Sequence, residues 1–411
     1  MKHKEKDRKE LQELKQQILK DIDLSREVED EEIRSIIRRN CSFYAKQHIL
    51  SLEKREELEQ SLFYALRKLD ILQELLDDEE ITEIMVNGAE HIFYEKYGKL
   101  YQYEKTFSSK EKLEDIIQQI AGNNNRMINL SNPIVDARLN DGSRVNIVLS
   151  PISIDGSAIS IRKFPKKPYE MQDLVLMEAI SKEAAHFLEQ LVKARYNIFV
   201  SGGTGSGKTT FLNALSQFIP KEERIITIED SAELQLIEKP NLIRLETRNA
   251  NTEGVTAISI RDLIRAALRM RPSMIIVGEC RGGEALDVLQ AMNTGHDGSL
   301  STGHANSCKD MISRLETMVL MGAVELPLTA IRSQIASGID VFVHLGRLRD
   351  KSRKVLSITE IVDFKNGEIL LNEIYRFQES SEIDGKIKGE LKQIGKLKHR
   401  EKLINAGLCE L

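Results

Sequence analysis

The chain of 411 residues contains no tryptophan, four cysteines and no apolar run long enough to cross a membrane. The missing tryptophan excludes nothing by itself. The cysteines, Cys41, Cys280, Cys308 and Cys409, are scattered without a Cys-x-x-Cys pair. That spacing argues against a zinc site and against a disulfide framework, and fits reduced thiols in a cytosolic protein. The opening residues, Met1 to Arg8, are charged, and no apolar signal-peptide core follows them. Charged residues make up 30% of the chain, yet the formal net charge is -5. No overall basic character suggests a nucleic-acid coat, and no nucleic-acid partner is expected. The length allows two or three domains with real cores.

What is present is more telling. Residues 202–209 read Gly202-Gly203-Thr204-Gly205-Ser206-Gly207-Lys208-Thr209, a complete G-x-x-x-x-G-K-[ST] loop, followed by Thr210. A short apolar β-prone run, 197–200, precedes it and a helix-compatible run, 210–215, follows, the context that confirms this motif. The four glycines let successive backbone N–H groups face one anion at a helix N-terminus. Lys208 can reach the β- and γ-phosphates, and the Thr209 hydroxyl can hold Mg²⁺. The motif predicts binding of a nucleoside triphosphate.

Residues 1–70 carry apolar residues at helical spacing and neither glycine nor proline. They are expected to form a helical, partly solvent-facing region that is mobile at its extreme end. Residues 71–165 change texture. Strands are expected around the turns Asn87-Gly88, Tyr97-Gly98 and Asn140-Asp141-Gly142-Ser143, with one helix near 109–122. This is a small α+β domain. Phe164-Pro165-Lys166-Lys167-Pro168 reads as a linker. From 166 to 378 strands and helices alternate, the pattern of an α/β P-loop nucleotide-binding core. Residues 379–411 read as a charged, loose tail with one short helix.

Several groups have the chemistry to act on the bound phosphates. Met274-Ile275-Ile276-Val277-Gly278-Glu279 is an apolar strand ending in an acid, and Glu279 is expected on a strand beside the P-loop strand, acting through Mg²⁺ or on the attacking water. A second strand empties into Glu229-Asp230-Ser231; Glu229 or Asp230 faces the phosphates, unless Asp230 or Ser231 caps a helix. His304 ends a further strand, where its imidazole either contacts the γ-phosphate or holds Glu279. Arg138, Arg144 and Arg162 in the preceding domain are candidate arginine fingers, as are Arg261, Arg265, Arg269 and Arg271 around the helix near 259–270.

Taken in order, these blocks resemble the secretion ATPase superfamily that powers type II secretion, type IV pili and type IV secretion. Ile228-Glu229-Asp230 looks like its Asp box, Val277-Gly278-Glu279 like its atypical Walker B, and Thr294-Gly295-His296 through Ser301-Thr302-Gly303-His304-Ala305-Asn306-Ser307 like its His box. Within it the chain is most similar to the CpaF-type ATPases of tight-adherence (Flp) pili. The words that carry this are Ile84-Met85-Val86-Asn87-Gly88, Asp136-Ala137-Arg138-Leu139, Asp141-Gly142-Ser143-Arg144-Val145-Asn146, Ser160-Ile161-Arg162-Lys163-Phe164, Arg269-Met270-Arg271-Pro272 and Leu289-Gln290-Ala291-Met292-Asn293-Thr294-Gly295-His296-Asp297-Gly298-Ser299. The resemblance runs from about 71 to 375. Two features depart from the family: Ser273 stands where Asp is common before the Walker B strand, and the four-cysteine zinc module of the type II branch is absent.

The resemblance implies a RecA-like core and a cytoplasmic homo-hexamer, peripheral at the inner face of the membrane. It would hydrolyse ATP with Mg²⁺ to drive a polytopic inner-membrane platform protein and so assemble a pilus or export protein. By the same resemblance Lys208 and Thr209 hold phosphate and metal, Glu229 and Glu279 handle the water and the metal, and His304 senses the γ-phosphate. Arg138, Arg144 and Arg162 would contact phosphate across the domain interface. A type IV secretion ATPase for conjugation or effector export is the alternative, and a nucleic-acid translocase a more distant one. ATP rather than GTP is expected partly because no Asn-Lys-x-Asp motif is present.

Overall fold

The computed structural model describes residues 13–408 apart from 24, 27, 49, 165–166, 249–255 and 323–324. The expected mobile end, residues 1–12, lies outside the described residues. The chain divides into two compact units, Met1–Lys166 and Lys167–Leu411, at the stretch read as a linker.

In the first unit residues 13–21 are helical, and helices Asp30–His48 and Leu52–Arg67 follow. Ser51 caps the second by accepting from the backbone N–H of Lys54. Ile33, Ile37 and Cys41 of one helix and Leu62 and Phe63 of the other share a small core with Leu14 and Ile18. The guanidinium of Arg34 stacks 3.6 Å from the Phe63 ring centre. Six antiparallel strands follow: β1 (Ile81–Asn87), β2 (His91–Lys96), β3 (Lys99–Gln102), β4 (Ile134–Arg138), β5 (Arg144–Val148) and β6 (Ala158–Arg162). Their spatial order is β3-β2-β1-β6-β5-β4. Period-two alternation sends Ile84, Val86, Val145, Ile147, Ile159 and Ile161 to one face. There they pack with Leu113, Ile116, Ile117 and Ile120 of helix Lys110–Asn123.

The second unit is built on nine strands: β7 (Ile198–Gly202), β8 (Ile225–Glu229), β9 (Leu242–Glu246), β10 (Met274–Cys280), β11 (Leu300–His304), β12 (Val341–Arg347), β13 (Arg353–Lys365), β14 (Glu368–Ile383) and β15 (Lys386–Gln393). They lie in the order β15-β14-β13-β12-β7-β11-β10-β8-β9. From β12 to β9 every pairing is parallel, and from β12 to β15 every pairing is antiparallel. Both faces of β7 are buried, with Ile198 and Val200 in one core and Phe199 in the other. This is why the central strands read as continuous apolar runs.

The expected loose tail is a correction. Residues 386–393 form β15, registered against β14 from Ile383↔Lys386 to Tyr375↔Gln393. Leu391, Leu397 and Leu403 are buried in the larger core, and Ile387 is buried as well. Asp384 and Gly385 turn the hairpin with φ of 50° and 71°, the two-residue turn that Asp-Gly favours. The charges between the buried leucines face outward, and their density hid the alternation. The short helix is Glu401–Asn405.

Candidate active site

Strand β7 delivers the glycine loop from the middle of the sheet. Leu345 of β12 lies opposite Gly202, and a Cβ on Gly202 would meet the Leu345 carbonyl oxygen at 2.5 Å and Ser206 Oγ at 2.6 Å. Only glycine fits there. Gly205 and Gly207 adopt φ of 72° and 92°, the left-handed turn that starts helix Lys208–Ser216 without a side-chain cap. Ser206 Oγ is buried in the loop with no hydrogen-bond partner. Thr209 and Thr210 are half-buried in the first helical turn, while Thr204 is exposed.

Lys208 is buried and turned onto its own loop. Its Nζ donates to the carbonyls of Gly202 at 3.2 Å and Gly203 at 3.1 Å, and lies 3.3 Å from Nδ1 of His304. Burial, then the Lys208 cation, hold the His304 imidazolium below its usual range. A neutral ring accepts from Lys208 at Nδ1 and carries its proton on Nε2. That nitrogen lies 2.7 Å from Oε1 of Glu279. The N–H is not aligned on this oxygen, which has no hydrogen-bond partner, so the contact is one of electrostatic proximity.

The expectation that Glu279 sits beside the P-loop strand is corrected by the strand order. The neighbours of β7 are β12 and β11; β11 ends in His304, and β10 with Glu279 lies one strand beyond it. The histidine therefore spans the gap between lysine and glutamate. Arg281, which the sequence did not single out, places Nη2 2.6 Å from Glu279 Oε2 and Nη1 3.5 Å from Asp230 Oδ2.

Glu229 ends β8 on the other side of β10. Its side chain is buried, and its Cγ would lie 2.9 Å from a Cβ on Gly278, so the Walker B glycine makes room for it. Oε2 accepts from the backbone N–H groups of Glu233 and Leu234 at 2.7 and 3.0 Å, and Oε1 has no hydrogen-bond partner. Burial outweighs those two donors and pushes this carboxyl up to about 7. Asp230 is exposed, with its carbonyl accepting from Thr247 Oγ1, and no helix begins at Asp230 or Ser231.

Three further features escaped the sequence. His344 of β12 is buried with Nδ1 3.0 Å from Ser201 Oγ, the residue just before the loop. Arg353 donates from Nε to the Gly205 carbonyl at 2.9 Å. A cavity of about 300 Å³ opens beside Ser206, Gly207 and Thr210, walled by Tyr169, Leu174, Phe211 and Val355. Contacts made across more than a hundred residues leave no local pattern to read.

In the first unit, Arg138, Arg144 and Arg162 stand abreast on β4, β5 and β6: Arg138 opposes Arg144, and Arg144 opposes Arg162. They share the sheet face turned away from the helix-covered core. Arg261 and Arg265 are engaged elsewhere, both facing the Asp287 carboxylate, at 2.8 and 3.4 Å.

The family described as Type II/IV secretion system protein matches residues 65–384. The putative conjugal transfer protein Rv3659c of Mycobacterium tuberculosis is 33% identical over 294 residues, 70% of this chain and 83% of that protein. The type IV secretion system protein PtlH of Bordetella pertussis is 35% identical over 303 residues, 68% of this chain and 89% of that one. In fold, the ATPase DotB of Legionella pneumophila superposes with a TM-score of 0.52 at 24% identity, over 71% of this chain and 80% of its own. The glycine loop, the two strand-end glutamates and the bridging histidine thus sit in a chain that belongs to the type II/IV secretion system protein family.

Proposed function

We infer that this chain is the ATP-hydrolysing motor of a secretion or pilus-assembly platform. An ATPase by its family, it carries the reading on one observation: His304 sits between Lys208 and Glu279, 3.3 Å from one and 2.7 Å from the other. Lys208 is the cation for the β- and γ-phosphates. The loop's glycine geometry and the orphaned Ser206 hydroxyl fit a polyphosphate, and the neighbouring apolar cavity fits the base. Thr209 and Glu279 would hold Mg²⁺, the latter through water, and the metal supplies charge neutralisation on the phosphate oxygens. Glu229, with a carboxyl poised near neutrality, is suited to take a proton from the attacking water. His304 passes the presence of a γ-phosphate to Glu279 by exchanging its contact with Lys208.

The finer reading is a hexamer on the cytoplasmic side of the membrane, driving a polytopic platform protein of a Flp-type pilus. The words at 141–146 and 289–299 support the pilus branch. The relatives, a putative conjugal transfer protein and a type IV secretion system protein, support the export reading as the alternative. Among the described residues no helix is long and apolar enough to cross a membrane. The arginine row of the first unit, three guanidinium groups abreast on one sheet face, supports a trans-acting role, because such forks match phosphate oxygens.

Phosphate release by the purified protein, beside Glu279→Gln, tests the enzyme. Mass determination in solution with Mg-ATP tests the ring. Equal, background-level release by both proteins contradicts the motor, and a monomer under turnover conditions contradicts the ring.

A further inference from the structure

The hairpin formed by β12 and β13 sets Arg347 and Arg353 directly opposite each other. Like charges facing across a ladder destabilise it, and neither arginine has a carboxylate partner among the described residues. Other charged groups of the hairpin do have partners. Arg349 pairs with Glu379 and Glu382. Asp350 accepts from the backbone of Ser352 and Ile387. Lys354 is buried and donates to the Glu178 carbonyl at 2.7 Å. These contacts hold the hairpin against the rest of the unit.

Both unpaired arginines lie along the glycine loop. Arg353 donates from Nε to the Gly205 carbonyl at 2.9 Å, and its Cδ would lie 3.5 Å from a Cβ on Gly207. Arg347 brings Nη1 to 4.0 Å from the position of a Cβ on Gly205. Anchored through Nε, Arg353 keeps its two terminal nitrogens as a planar fork, the geometry that matches phosphate oxygens. It also walls the apolar cavity together with Ser206 and Thr210. Arg353 therefore stands where the phosphate loop meets the cavity.

We propose that Arg347 and Arg353 are phosphate-binding residues that clamp the phosphate chain of a nucleotide bound to the loop of the same subunit. This rests on the reading of the loop as an ATP site. The clamp is complete within one chain and differs in origin from the arginine row of the first unit. It explains the face-to-face pair: the anion between the guanidinium groups removes their repulsion.

Calorimetric titration of the full-length protein with ADP at several salt concentrations tests it. In Arg347→Gln/Arg353→Gln the Kd for ADP rises at least about tenfold, and the dependence of log Kd on log salt becomes shallower. Lys193→Gln removes one charge at the C-terminal end of helix Lys182–Lys193, outside the loop and the cavity lining, and leaves both unchanged. The single variant Arg347→Gln, which takes no hydrogen bond from the loop backbone, still weakens ADP severalfold. ADP affinity within about twofold of wild type in the double variant, or weaker binding with an unchanged salt slope, overturns the clamp; the latter marks Arg353 as a prop for the loop. Failure of the wild-type protein to bind ADP overturns the ATP reading itself.

Discussion

Nε2 of His304 lies 2.7 Å from Oε1 of Glu279 while Nδ1 of the same ring faces Nζ of Lys208 at 3.3 Å. The imidazole can serve both neighbours only when neutral, since a protonated Nδ1 would confront the ammonium. Burial and that ammonium both favour the neutral ring. Turnover therefore falls first as acid protonates Glu229 near 7 and again as it protonates the histidine below its ordinary range. His304→Ala lowers kcat by about 100-fold or more while ADP affinity changes little. A kcat–pH profile with calorimetric ADP binding checks both halves.

Glu229 offers a thermodynamic test. Its folded carboxyl titrates near 7, above the unfolded value of 4.5, because burial disfavours its charge. The folded state thus binds more protons between those values, and stability must fall as pH rises through that window. In Glu229→Gln this loss disappears, so the variant is more stable than wild type at pH 8 by on the order of 2 kcal/mol. Denaturant melts of both proteins at pH 5 and pH 8, without nucleotide, measure it.

Gly278 shares the space of Glu229. A methyl group there would lie 2.9 Å from Glu229 Cγ and 3.4 Å from Oε2, so Gly278→Ala displaces that side chain from the Glu233 and Leu234 backbone donors. The expected outcome is a stability loss of about 1–3 kcal/mol and a kcat close to that of Glu229→Ala, with little added effect when the two are combined. Melts and phosphate release on the single and double variants check the coupling.

Arg162 tests the arginine row by setting stability against activity. It is exposed, opposes Arg144 on one side and Glu83 on the other, and its loss relieves one like-charge contact. Arg162→Gln leaves the unfolding free energy within the range of about ±0.5 kcal/mol typical of surface changes, yet turnover falls by roughly 10³-fold if the row supplies fingers. Unchanged turnover removes Arg162 from the mechanism.

How much could be read in advance depended on how local each feature is. The glycine loop, the strand-ending Glu229 and Glu279, and the His304 strand are contiguous words, and each lies on the helix start or strand that the sequence indicates. Strand order was not. That β11 lies between β7 and β10 follows from how the crossovers wind, and no spacing of residues records it. Arg281 escaped because the sequence around it reads as an ordinary turn. Arg353 escaped because its partner, Gly205, lies 148 residues away. The C-terminal hairpin was readable: Asn366-Gly367 and Asp384-Gly385 both adopt the left-handed turn that such pairs favour. The charged side chains between Ile387 and Leu391 masked it.

The account stands most directly on Lys208. We propose that its ammonium meets the phosphates and, through His304, reports them to Glu279. Steady-state phosphate release at saturating Mg-ATP, on wild type and Lys208→Ala of matched melting temperature, is the measurement. The account predicts turnover by the wild type and background release by the variant. Equal hydrolysis by the two proteins would contradict it.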